Sequence, residues 1–240
     1  MGSLFAKAKS LLIARQTVWW PTVWGWCLGL LFVLACVLSW MFLAERWLSL
    51  TIRVPAKVLV VEGWIGLDGV AAAAREFSQG NYDVVVGTGG LTGERWNTTR
   101  WNYAEMAAKE LRRLGIPPDR ILTAPAKEVE SRRTFEAAVA TWRTLHAAGL
   151  HPAAINLMTR GPHARRSRIV YARVFGVDTT VGVISWVPAS ELSTPWWNSS
   201  DRASDLLKES AGYPFELFLN SARTSNSPLL LQPTGHQAPD

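Results

Sequence analysis

No Asp, Glu, Lys, Arg or His occurs from Thr17 to Ala44. A charge gap of that length excludes an ordinary surface helix, which keeps a polar face towards water. Cysteine is nearly missing as well. Cys27 and Cys36 are the chain's two, and both lie inside the same gap. The remaining chain therefore has neither a disulfide nor thiolate chemistry. Histidine is scarce: His146, His151, His163 and His236 show no zinc-ligand spacing, which excludes a recognisable zinc site. A Gly-x-Ser-x-Gly elbow is absent, so serine-hydrolase chemistry has no support. Surplus positive charge is also small outside the N-terminal tail. The net charge is +6, and beyond Lys7, Lys9 and Arg15 the chain carries 22 Lys+Arg against 19 Asp+Glu. That is no nucleic-acid footprint.

The uncharged run is itself the strongest positive signal. Val23 to Leu43 supplies about 20 apolar residues, enough to cross a hydrocarbon core of about 30 Å. Trp19, Trp20, Trp24 and Trp26 stand at one end and Trp40 and Trp47 at the other, as in the aromatic belts of a membrane span. A secretory signal would have a shorter apolar region ending at a small-residue cleavage site, and this run continues through Leu38-Ser39-Trp40-Met41-Phe42. A lipoprotein signal ending at Cys36 is disfavoured by the bulky Leu34 and by the apolar residues that follow. Lys7, Lys9 and Arg15 precede the span, and Arg46, Arg53 and Lys57 follow it. The flanks tie in Lys plus Arg; the closer packing of the leading charges favours the N-terminus inside. The expectation is a single-pass protein of the cytoplasmic membrane with its main domain extracytoplasmic.

After a stalk over 45–56, strands and helices alternate. Strands are predicted at Lys57–Val61, Tyr82–Val86, Arg120–Thr123, Ala153–Met158 and Thr180–Ile184. Helices are predicted at Asp68–Ser78, Asn102–Leu114, Thr134–Ala148, Ala164–Phe175 and Asp201–Leu219. Such βα alternation gives a doubly wound α/β domain with a mainly parallel five-stranded sheet. The domain is expected over 57–220, with a tail at 1–17, the anchor at 18–44 and a disordered tail at 221–240, rich in Ser, Pro, Thr and Gln.

In an open parallel sheet, ligands bind at the carboxyl ends of the strands. Glu62-Gly63-Trp64 follows strand one, and Gly87-Thr88-Gly89-Gly90 follows strand two, with Arg95 and Arg100 beyond. The glycines permit close backbone approach and an anion-binding turn. They lack both GxGxxG spacing and a P-loop lysine, so a plain tight turn is an equal reading. Glu128, Glu130 and Ser131 to Thr134 follow strand three. Arg160, His163, Arg165 and Arg166 follow strand four. Arg132, Arg133, Arg160, Arg165 and Arg166 sit beside predicted helix N-termini, where cations oppose the helix dipole unless an anion lies between them. The alternative is a solvated basic face. His163 is the candidate general acid or base. Trp196 and Trp197 read as packing residues.

These residues resemble the YdcF-like superfamily, which includes the SanA and ElyC envelope proteins. The likeness spans roughly Lys57 to Val187. It rests on Val60-Val61-Glu62-Gly63-Trp64, Thr88-Gly89-Gly90, Glu105, Leu114-Gly115-Ile116-Pro117, Ser131-Arg132-Arg133-Thr134-Phe135-Glu136 and Thr159 with His163-Ala164-Arg165-Arg166. Arg133 stands where the family has Asn. Trp196 to Ser200 and Glu209 resemble a subgroup that shares the Glu-Gly-Trp form. The resemblance implies a Rossmann-like fold behind one membrane span and a role in envelope permeability or with the lipid carrier of cell-wall synthesis. One cytoplasmic relative is linked to S-adenosylmethionine. The family carries no settled reaction and fixes no cofactor.

The site expected is one pocket. Its acid–base residues are His163 with Glu62 or Glu105. Gly87, Thr88, Gly89, Gly90, Arg133, Thr134, Arg160, Arg165 and Arg166 bind an anionic small molecule or a lipid-linked envelope precursor. No metal and no nucleic acid enter this reading. A non-catalytic envelope-assembly factor and a cytoplasmic nucleotide-like-cofactor domain are the alternatives.

Overall fold

A computed structural model describes residues 21–91, 101–129 and 132–219. The chain divides between Phe42 and Leu43. Helix α1 (Val23–Leu48) has 26 residues. Among the described residues it is the one helix long and apolar enough to cross a membrane. From Val23 to Leu38 its Leu, Val, Phe and Trp side chains are exposed, whereas Ala44 and Leu48 near its end are buried.

From Leu43 onwards the second unit is a three-layer α/β sandwich. Strands β1 (Val58–Glu62), β2 (Val84–Gly89), β3 (Ile121–Pro125), β4 (Ala154–Arg160) and β5 (Thr180–Trp186) form one sheet in the order β3-β2-β1-β4-β5. All four pairings are parallel. The helices are α2 (Gly66–Gln79), α3 (Tyr103–Arg113), α4 (Arg133–Ala147), α5 (Ala164–Phe175), the short α6 (Ala189–Leu192) and α7 (Ser200–Leu219).

The period of two along a strand sends alternate side chains to opposite faces. Val58 and Val60 pack with Phe135 and Ala138 of α4 and Tyr171 and Val174 of α5. Leu59 and Val61 pack with Val70 and Phe77 of α2 and Leu111 of α3. Both faces of β1 are therefore buried, as its unbroken apolar run predicts. Each large side chain so buried contributes about 1.5–3 kcal/mol.

The chain builds β1, β2 and β3 in one direction, then crosses back to lay β4 on the other side of β1. The order reverses between β1 and β4. The crevice beyond their carboxyl ends is where such sheets take ligands.

Two boundaries differ from expectation. Gly87, Thr88 and Gly89 belong to β2, and Thr159 and Arg160 to β4. Polar residues continue both strands because their polar atoms find partners: the Thr88 hydroxyl lies 3.1 Å from the Ala124 carbonyl and 3.2 Å from that of Ala137. The expected stalk at 45–56 is also bound to the domain. Ile52 forms an antiparallel bridge with Val183. The Asn156 side chain holds Val54 N at 3.0 Å and Val54 O at 2.8 Å. Leu48 is buried, and Arg202 Nη2 reaches Glu45 at 2.6 Å. A chain beginning at Leu43 should therefore outlast one beginning at Leu50 by about 2–4 kcal/mol, since the shorter chain leaves Arg202 without Glu45 and uncovers the Leu48 site. Both should unfold in one transition by calorimetry. Equal melting temperatures would show that this segment is a mere tether. The tails at 1–17 and 221–240 lie outside the described residues.

Candidate functional site

Glu62 ends β1 at the switch point and is 2% exposed. A buried carboxylate needs donors, and three surround it. Thr159 Oγ1 lies 2.5 Å and Trp64 Nε1 3.0 Å from Oε2, and Ser167 Oγ lies 3.4 Å from Oε1. Gly63 lets the chain turn there. A Cβ at Gly63 would stand 2.1 Å from the Tyr103 carbonyl oxygen of α3. Gly63→Ala should push α3 off the strand ends, with a loss of about 1–3 kcal/mol or more read from the urea midpoint. A midpoint unchanged from the parent would remove this explanation of the glycine.

His163 closes the 3₁₀ turn Gly161–His163 between β4 and α5. Its Nδ1 lies 2.7 Å from Glu209 Oε1 on α7. Its Nε2 lies 3.3 Å from Thr134 Oγ1 and 3.8 Å from Glu62 Oε2. Trp64 packs edge-on against the imidazole at 5.1 Å. Arg166, one turn into α5, grips the same Glu209 with Nε at 2.7 Å and Nη2 at 2.9 Å. Nη2 also lies 3.0 Å from Nδ1, because both nitrogens donate to one oxygen. A proton on Nδ1 leaves Nε2 as the acceptor, facing the Thr134 hydroxyl.

Burial opposes the charge on Glu209, but the charge His163 carries when protonated and the bonds from Arg166 and His163 outweigh it and hold the carboxyl at about 2. Burial likewise works against the Arg166 cation, and the bond to Glu209 overcomes it, raising its value above the ordinary one. Tyr171 is fully buried; burial first, then the Glu62 charge, pushes its phenol well up.

A small cleft of about 60 Å³ opens at this cluster. Trp64, His163 and Glu209 line it with Glu45, Arg160, Glu191, Arg202 and Asp205. Its guanidinium groups are matched by carboxylates. Arg160 meets Glu191 at 2.6 Å, and Arg202 meets Glu45 at 2.6 Å.

The expected single pocket is thus realised in part. Glu62, Thr134, His163 and Arg166 come together, and Arg160 lines the adjoining cleft. Arg165 turns away: its guanidinium lies 4.0 Å over the Trp47 ring, and Nε donates to the Trp47 carbonyl at 2.8 Å. Arg133 is exposed at the start of α4, and Glu105 is exposed in the first turn of α3. No hydrogen bond or ion pair joins either of them to His163 among the described residues. Gly87 and Gly89 serve close packing, since a Cβ would stand 3.0 Å from Ala104 O and 2.8 Å from Tyr103 Cβ respectively. Gly90 O accepts from Tyr103 N at 2.9 Å. Arg95, Arg100, Glu130 and Ser131 lie outside the described residues.

Glu209, Thr159 and Ser167 complete the site without a local motif to mark them. One signal exists for Glu209. Arg202, Leu206, Glu209 and Glu216 form the buried stripe of α7, and a charge on a buried stripe requires a buried partner. No group of His, Cys, Asp and Glu suited to a metal ion occurs among the described residues. Comparison with protein-family models, with curated proteins and with solved structures finds no match to this chain.

Proposed function

We propose that this chain is a membrane-anchored, extracytoplasmic α/β protein of the YdcF-like kind that binds and processes an anionic envelope precursor by acid–base chemistry at His163. The observation that carries the reading is the Glu209–His163 pair at the β1/β4 switch point. Glu209 fixes Nδ1, and Nε2 is left as acceptor beside Thr134 and Glu62. That is the arrangement of a general base. The cleft admits a group of a few atoms, which suits the phosphate end of a lipid-linked phosphate or pyrophosphate sugar better than a whole nucleotide. The envelope setting comes from the sequence resemblance and from α1.

Two measurements test it. A C-terminal alkaline phosphatase fusion should be active in bacterial cells; an inactive phosphatase fusion with a fluorescent GFP fusion places the domain in the cytoplasm and ends the reading. The full chain in detergent should hydrolyse the pyrophosphate bond of a polyprenyl pyrophosphate sugar with water, releasing sugar phosphate and leaving polyprenyl phosphate. Binding without release favours a second reading, a non-catalytic assembly factor. That reading draws on the pairing of the cleft's guanidinium groups with carboxylates.

A further inference from the structure

The cleft beside His163 already holds an anion of the chain's own. Glu191, on α6, is one of the residues that line it. Arg160 Nη2, at the end of β4, donates to Glu191 Oε1 at 2.6 Å. The other oxygen, Oε2, lies 3.9 Å from Nε of Arg202 on α7. The carboxylate therefore stands between two guanidinium groups from different elements. The second of these groups is unfinished. Arg202 is 9% exposed. Its Nη2 donates to Glu45 at 2.6 Å, and its Nη1 to the carbonyls of Glu191 at 3.0 Å and Thr194 at 2.7 Å. Its Nε is buried and has no hydrogen-bond partner among the described residues. A buried donor without an acceptor is destabilising and calls for an explanation. Here the acceptor in front of it falls short of hydrogen-bond reach.

We propose that the Glu191 side chain is an internal competitor for the substrate: it occupies the position of a pyrophosphate between Arg160 and Arg202, and leaves when the substrate arrives. A carboxylate has two oxygens at one fixed span. A pyrophosphate spreads its free oxygens over two phosphorus centres, and guanidinium groups suit them in charge and shape. One such ligand can serve Arg160 and the idle Nε of Arg202 together. The exchange needs no backbone movement. Arg202 Nη1 holds the Glu191 and Thr194 carbonyls in place, and rotation about its own side-chain bonds takes the Glu191 carboxylate out to water. The Arg160–Glu191 pair is part exposed, 33% and 24% by side chain, and such pairs are weak. Charge favours the exchange as well. Arg160, Arg166 and Arg202 face Glu191, Glu209 and Glu45, one carboxylate each, while Asp205 pairs with Lys208. Withdrawal of Glu191 leaves one guanidinium in surplus for an incoming anion. The inference rests on the cleft taking a phosphate group, and it holds whether or not His163 turns the ligand over.

The test titrates inorganic pyrophosphate into the full chain in detergent at pH 7, read by calorimetry. An internal competitor lowers apparent affinity by the fraction of chains in which it is displaced. Glu191→Gln, close to the parent in shape, should therefore bind pyrophosphate about 5–10-fold more tightly. Glu191→Ala, which leaves α6 no side-chain hold on Arg160, should show the same gain. Arg160→Gln should weaken binding, and adding Glu191→Gln to that chain should restore nothing. Asp205→Asn removes a cleft carboxylate that pairs with Lys208, and should change affinity by less than about twofold. Equal gains in Glu191→Gln and Asp205→Asn overturn the proposal, because they reduce it to the general charge of the cleft. A Glu191→Gln affinity at or below the parent's also overturns it: Glu191 is then a brace for α6, and the phosphate reading of the cleft stands. If neither the parent nor Glu191→Gln binds pyrophosphate, the cleft reading itself fails and takes this inference with it.

Discussion

Replacing Glu209 by alanine is expected to cost about 3–5 kcal/mol, the loss that follows when one partner of a buried ion pair is removed. Glu209 is 7% exposed, and its carboxylate receives Nε and Nη2 of Arg166 and Nδ1 of His163. Its removal leaves the Arg166 guanidinium inside the domain with no carboxylate in ion-pair contact among the described residues. Acid should reproduce part of the effect. Glu209 holds its proton only below about 2 in the fold, against an ordinary value of 4.5. A depressed carboxyl contributes stability above the unfolded value, and that stability is lost as pH falls through 4.5 towards 2. The size is on the order of 3 kcal/mol. Urea unfolding at pH 7 and pH 3 measures both effects. The parent should weaken markedly at pH 3, while Glu209→Ala, already weak at pH 7, should lose less on acidification. Paired replacement, Glu209→Leu with Arg166→Met, should recover much of the loss, because neither charge of this pair is then left buried alone. A Glu209→Ala midpoint equal to the parent's would mean that the cluster contributes nothing to the fold.

This expectation reverses a simpler one drawn from the arginines alone. Cations near a helix N-terminus repel each other and the dipole, so removing Arg166 should relieve strain. That argument omits Glu209, which comes from α7, 43 residues away in the chain. The α/β architecture was legible because it depends on local periodicity: an unbroken apolar run is a buried parallel strand, and a glycine closes each of the four helices that join two strands. The carboxyl-end list was legible for the same reason. Side-chain direction was not. Arg165 and Arg166 are neighbours in sequence, yet residues one apart on a helix point about 100° apart. One therefore stacks on Trp47 and the other enters the buried cluster. The Gly87–Gly90 turn misled in a different way. Its glycines fit a ligand cradle and a helix contact equally well, and the distances to Tyr103 and Ala104 favour the contact. The stalk reading of 45–56 failed because its partners, Asn156, Val183 and Arg202, are all distant in sequence.

His163→Asn should lower turnover of the polyprenyl pyrophosphate sugar by about 10²–10⁴-fold, the usual contribution of a positioned acid or base, while costing far less stability than Glu209→Ala. The two effects separate because His163 has two nitrogens with different tasks. An asparagine amide can stand near Nδ1 and donate to Glu209, so the Arg166–Glu209 pair keeps its surroundings. Nothing in asparagine replaces Nε2, which faces Thr134 Oγ1 at 3.3 Å. Arg165→Ala is the matched control from the same turn of α5. Its guanidinium lies on Trp47, so turnover assayed in detergent should stay near the parent's. Rates are compared at saturating substrate, alongside melting temperatures of all three chains. Turnover that survives His163→Asn removes His163 from the chemistry. Equal loss in His163→Asn and Arg165→Ala, with melting temperatures falling in step, traces the loss to the fold of α5 and not to proton transfer.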